Sequence, residues 1–124
     1  METINSQETY NIALKNFKDK LTYEEIIQRT CSFFDVKVGH ILGVRRDAKL
    51  CEIRHIICDI LYSATYLNLS NHKIGKILGG RHHTTIMHSH NQVRDYCRFN
   101  EEFKHKVLSI HYELFGNFHY FRHY

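Results

Sequence analysis

Two adjacent glycines, Gly79 and Gly80, close one short amphipathic segment, and the run Arg81-His82-His83-Thr84-Thr85 opens another. Glycine accepts the left-handed backbone that ends a helix, so the pair reads as a sharp corner between two helices. After the corner the apolar spacing resumes at Ile86, Val93 and Cys97, which predicts a helix from His82 or His83 to about Arg98. A helix start presents unpaired N–H groups and partial positive charge, which suit a phosphate. The donors and methyl groups of its first turn suit the edges of DNA bases. The corner therefore proposes a helix-turn-helix whose second helix enters a DNA groove. Its plain alternative is an ordinary helical hairpin, which would have no use for such a donor cluster.

The rest of the chain is read as helical too. Its 124 residues suffice for one core, and 43% are hydrophobic, a globular share. Proline is absent, and no run alternates apolar and polar residues as a strand would. A first helix is expected over Gln7 to Phe17. A second starts at Thr22, where Glu25 completes a capping box and Leu21 and Ile26 form a hydrophobic staple, and runs to about Phe34. It would bury Ile26, Ile27, Thr30 and one or both of Phe33 and Phe34. A short helical turn over Val38 to Leu42 ends at Gly43. A long helix is expected from Leu50 to Leu67 on Ile53, Ile57, Ile60, Leu61 and Ala64. Ser70 caps a short helix carrying Ile74, Ile77 and Leu78. Another helix lies between Glu101 and Leu114, with Phe103, Val107, Ile110 and Leu114 inward. The tail GNFHYFRHY is aromatic and basic without a usable period. It is expected to pack back on the bundle, or else to dock a partner or pair two copies.

Between the short turn and the long helix, VRRDAK offers Arg45, Arg46 and Lys49. Such a run is ordinarily a solvated loop. It becomes functional if the fold brings it beside the second helix, because an arginine in the minor groove can accompany a helix in the adjacent major groove. Arg54, near the start of the long helix, is suited to a backbone phosphate.

Other chemistries find less support. Cys51, His55 and Cys58 share a helical face at a spacing that suits metal ligands, but no fourth ligand is indicated and such cysteines are ordinarily core. His82, His83, His88 and His90 are dense but lack the pairs on one face that a metal wants. No GxxxxGK[ST] loop, nucleophile elbow or carboxylate pair is present, so neither nucleotide hydrolysis nor a metal-dependent nuclease is indicated, and no cofactor is expected. The four dispersed cysteines read as reduced, mostly buried thiols. No apolar run approaches the ~18 residues of a membrane span, and METINSQETY lacks the pattern of a secretory signal. The expectation is a cytoplasmic, nucleoid-associated protein. The net charge of +4 is compatible with a polyanion without demanding one, and eleven histidines add charge in mild acid.

With these residues in view, GGRHHTTIMH resembles the signature of the C-terminal DNA-binding domain of the DnaA family of bacterial replication initiators. That pattern is GGRDHTT, two aliphatic residues and a histidine. The capped helix at Thr22, VKVGHILGVRRDAK, Arg54 and SNHKIGKILGG follow that domain in order and spacing. The likeness is good from Leu21 to Asp95, looser to Leu114, and absent from the first twenty residues and the tail. It divides the chain into an extension over 1–20, expected to be helical, a DnaA-like domain over 21–98, and a C-terminal helix and tail over 99–124.

The resemblance implies an all-α, Trp-repressor-like helix bundle containing a helix-turn-helix, binding double-stranded DNA at a nonameric box. By that likeness Arg46 enters the minor groove, Arg54 helps hold the DNA, His83, Thr84 and Thr85 read major-groove bases, and Arg81 fixes phosphates with the helix N-terminus. Three departures qualify it. His82 stands where the family has aspartate, which alters readout by ~1–3 kcal/mol if a good base contact is lost. Gln92 replaces a lysine on the second helix. Asp47 and Glu52 dilute the basic loop. No ATPase module accompanies the domain in these residues. The expectation is a regulator of replication initiation or transcription that acts without nucleotide. The alternative is a protein-interaction module that keeps the fold without specific DNA readout. A homodimer or protein partner would then engage through either extension.

Overall fold

A computed structural model describes residues 20–116. The expected helix over Gln7 to Phe17 and most of the aromatic tail lie outside the described residues. Within them the regular structure is entirely helical: α1 (Tyr23–Phe33), α2 (Val38–Leu42), α3 (Ala48–Ser63), a 3-10 turn (Thr65–Leu67), α4 (Asn71–Ile77), α5 (His83–Phe99) and α6 (Glu101–Phe115).

Helix α3 is the axis. Leu50, Ile53, Ile56, Ile57, Cys58, Ile60 and Leu61 are all buried, which is more of its circumference than the single stripe read from the sequence. A helix apolar on most sides must be surrounded, and α3 packs against α1, α2, α4 and α5. Helix α6 closes the bundle against α1 and α5, adding Val107, Ile110 and Leu114 to the same core.

Local chemistry sets the ends. At α1 the Glu25 N–H donates to Thr22 Oγ1 and the Thr22 N–H donates to Glu25 Oε1, each at 3.2 Å, completing the capping box. Phe33 is exposed, whereas Phe34 packs against the core. Ser70 caps α4 through the Lys73 N–H at 3.2 Å. Asn100, which the sequence reading passed over, caps α6 through the Phe103 N–H at 2.9 Å. The predicted long helix starts two residues early, at Ala48, and breaks at Ala64 into the 3-10 turn. There Tyr66 donates to the Leu21 carbonyl at 2.6 Å, tying the connection to the start of α1, and Asn68 reverses the chain at φ 51°.

Candidate nucleic-acid interface

Helices α4 and α5 form the corner that the two glycines announced. The Gly75 carbonyl accepts from both the Gly80 N–H (2.9 Å) and the Arg81 N–H (2.8 Å), while Gly79 and Gly80 each hold φ at +83°. Two of the corner's glycines also have no room for a side chain. A Cβ on Gly75 would lie 2.0 Å from the Arg81 carbonyl oxygen, and one on Gly79 would lie 2.1 Å from that of Leu42. Gly75 carried no signal in the sequence, because a glycine inside a helical pattern looks merely permissive. The contact between Gly79 and Leu42 seats the corner on the end of α2, from which the basic loop departs.

Two arginines fasten that loop. Arg54, only 7% exposed, donates from Nε to the Ile41 carbonyl at 2.9 Å and from Nη2 to the His40 and Arg45 carbonyls at 3.0 Å each. Arg81 donates to the Gly43 carbonyl at 2.6 Å and also to the Leu78 carbonyl. Partial burial, and then the neighbouring Arg54 charge, lower the Arg81 pKa from its ordinary value. The sequence reading gave both guanidiniums to DNA phosphates. In this structure they bind carbonyl oxygens of α2, the loop and the corner.

The outcome is a groove of about 500 Å³ whose walls include Arg46, Arg54, Arg81, His82 and Thr85. Arg46 is exposed and makes no hydrogen bond or ion pair among the described residues. Arg45 instead pairs with Asp47 at 2.5 Å. This takes up the carboxylate that would have capped α3, and Asp47 makes no side-chain capping bond. Thr84 and Thr85 are exposed in the first turn of α5, and Ile86 anchors that turn in the core.

The three histidines at this end form a contiguous row, His83 stacked on His72 and tilted against His82. His82 lies 4.2 Å from His83, and His83 lies 4.1 Å from His72 of α4. His83 is thereby held below its ordinary pKa, first by desolvation and then by the charges of His72 and His82. His82 occupies the N-cap of α5, its Nδ1 accepting from the Thr84 N–H at 3.2 Å.

Lys49 and Gln92 face elsewhere. They line a second groove of about 640 Å³ with Glu52, His55, Tyr96 and Phe103, which shares Cys51 and His55 with the first. Glu52 pairs there with Lys106 at 3.3 Å. Cys51, His55 and Cys58 share a face of α3 that borders the first groove, with Cys51 and His55 half-buried. Cys58 is buried, its thiol pushed up to about 12, and Cys51 receives the Arg54 Nη1 at 3.8 Å. Among the described residues no three histidine, cysteine or acidic side chains are grouped to hold a metal ion. No helix among them is long and apolar enough to cross a membrane.

Residues 23–93 match the family model of the bacterial DnaA protein helix-turn-helix. The chain belongs to this family.

Among its DnaA relatives, the chromosomal replication initiator protein DnaA of Thermomicrobium roseum is 31% identical over 98 residues, 79% of this chain and 21% of that protein. The same-named protein of Ralstonia nicotianae is 28% identical over 115 residues, 87% of this chain and 22% of its own length. That of Cutibacterium acnes is 36% identical over 74 residues, 60% and 14% respectively. The chain thus spans about a fifth or less of the length of these relatives. The DnaA helix-turn-helix is a DNA-binding fold, and double-stranded DNA is the partner that this membership supports.

Proposed function

We propose that the chain reads a short duplex sequence of the DnaA-box kind and acts by occupying it, as a non-enzymatic regulator of replication initiation or transcription in the nucleoid. The observation that carries the reading is the shared groove, whose lining brings an uncommitted Arg46 together with His82 and Thr85. Arg46 supplies the minor-groove contact, and the first turn of α5, with His82, His83, Thr84 and Thr85, supplies the major-groove contacts. Arg54 and Arg81 act as positioning residues, since their donors tie α2, the basic loop and the corner together.

The test is selection of duplexes from a randomised pool at fixed salt, followed by titration of the selected duplex with wild type, Arg46→Ala and Thr85→Ala. Each substitution should weaken specific binding about 5- to 100-fold. Arg46→Ala should also lower the salt slope by about one. Unchanged affinity in both variants refutes the assigned interface.

A second reading, a protein-interaction module, is favoured by the aromatic rim of the second groove, where Tyr96 is 52% exposed and the neighbouring Phe99 88%. A pool that shows no enrichment, together with a Tyr96→Ala and Phe99→Ala variant that loses a dimer mass in light scattering, would establish it instead.

A further inference from the structure

The cap at His82 fixes more than the start of a helix. The Thr84 N–H donates to His82 Nδ1 at 3.2 Å, and the Thr84 hydroxyl oxygen lies 2.5 Å from the same nitrogen. A backbone N–H can only donate, so Nδ1 must carry its lone pair, and a neutral imidazole then bears its proton on Nε2. The hydroxyl lies against the same nitrogen, and its oxygen keeps a lone pair for an outside donor. The ring cannot easily turn over. Its tilted contact with His83, itself stacked on His72, restricts the ring, and turning would leave the Thr84 N–H without its partner.

The geometry points to His82 as a specificity-determining residue that offers the major groove a hydrogen-bond donor, Nε2–H, beside an acceptor, Thr84 Oγ1. This deepens the proposed function and rests on the reading that the first turn of α5 faces bases. Nε2 lies on the ring edge away from the capped N–H, and both side chains are exposed. A single fixed donor is accepted by guanine at N7 or O6, by adenine at N7 or by thymine at O4, and guanine favours it most by offering two adjacent acceptors. It is not satisfied by the amino group of cytosine. An acidic side chain at the same position would do the reverse: it is a better N-cap but presents only acceptors, which select an amino-bearing base. Capping and base choice are therefore coupled in one ring.

The experiment is parallel selection of duplexes by wild type, His82→Asp and Thr84→Val, with melting temperatures to confirm folding. Nitrogen NMR of the wild-type imidazoles at mildly alkaline pH gives the tautomer independently of DNA. The expected result is one position at which wild type prefers guanine two- to tenfold and His82→Asp prefers cytosine or adenine, the other positions being unchanged. Thr84→Val should relax the adjacent position while leaving the guanine preference. His82 should show a pyridine-like Nδ1 and a protonated Nε2. The same preferences in wild type and His82→Asp, or a proton on Nδ1, would overturn the assignment while leaving sequence-specific binding intact. A wild-type pool without any enrichment would overturn the proposed function and this inference with it.

Discussion

Replacing Arg54 by methionine separates two roles that a DNA-affinity measurement alone would confuse. In the free protein this guanidinium binds three carbonyl oxygens, those of Ile41, His40 and Arg45. Methionine keeps much of the stem's packing but removes all three donors. The Ile41 carbonyl is the buried one and loses its partner outright, at about 1–3 kcal/mol. The other two bonds are only part-buried, so water replaces the donor and each costs about 0.5–1 kcal/mol. Recovering the desolvation of a nearly buried cation offsets a fraction of this. The net expectation is a loss of about 2–4 kcal/mol, which lowers the melting temperature by roughly 10 °C or more in a domain of this size.

The assay is urea unfolding of wild type and Arg54→Met at neutral pH and moderate salt, with the binding titration repeated where both are folded. The midpoint should fall with little change in slope. Binding should weaken without losing a full phosphate's share of its salt dependence, because the loop is loosened rather than one contact deleted. If stability is unchanged and the salt slope drops by about one, Arg54 reaches the phosphate itself and the positioning argument is wrong.

The corner allows a contrast within one pair of residues. Gly79 and Gly80 share φ +83°, but only Gly79 is crowded, so Gly80→Ala should cost about 1–2 kcal/mol of backbone strain and Gly79→Ala distinctly more, as read by chemical unfolding. Thr22→Ala removes one arm of the capping box and should lower stability by about 1 kcal/mol while leaving DNA affinity at wild-type level in the same titration. Burial holds His90 at about 4 and His111 at about 3, below the ~6.5 of an unfolded chain. The unfolded state therefore binds more protons between those values, and stability falls with pH below about 6.5, by up to about 1.4 kcal/mol per pH unit for each histidine. Unfolding free energies measured across that range should flatten in His111→Leu.

The fold was legible where local chemistry and periodicity agree. Thr22, Glu25 and Ser70 fixed helix starts in the sequence that the hydrogen bonds reproduce, and Val38–Leu42 was placed to the residue because Gly43 and a charged loop bracket it. The far end of α3 was not legible. Apolar spacing runs on through Leu67, and only the long-range bond from Tyr66 to the Leu21 carbonyl marks where the chain leaves the helix. The same limit applies at the interface. Residue type identified Arg45, Arg46, Arg54 and Arg81 as cations, but not which already had acceptors. Loop carbonyls take the donors of Arg54 and Arg81, Asp47 takes Arg45, and these partners sit up to 38 residues away in the chain. Gly75 was hidden for a related reason, since its need for a missing side chain comes from the Arg81 carbonyl across the turn.

That distribution of acceptors bears on affinity as well as geometry. Of the four arginines around the groove, Arg46 alone keeps its donors free among the described residues, and Lys49 faces the neighbouring groove with Glu52. Neutral carbonyl acceptors leave the Arg54 and Arg81 charges in place but commit their donors, so direct phosphate contacts from these two side chains are limited. Sequence discrimination at this face should therefore depend on Arg46 and on base contacts made by the first turn of α5. The residues that hold the loop are then as important to readout as those that touch bases. A loop carrying one free arginine must present it in register with the helix, and the three carbonyl bonds of Arg54 and the two of Arg81 are what fix that register.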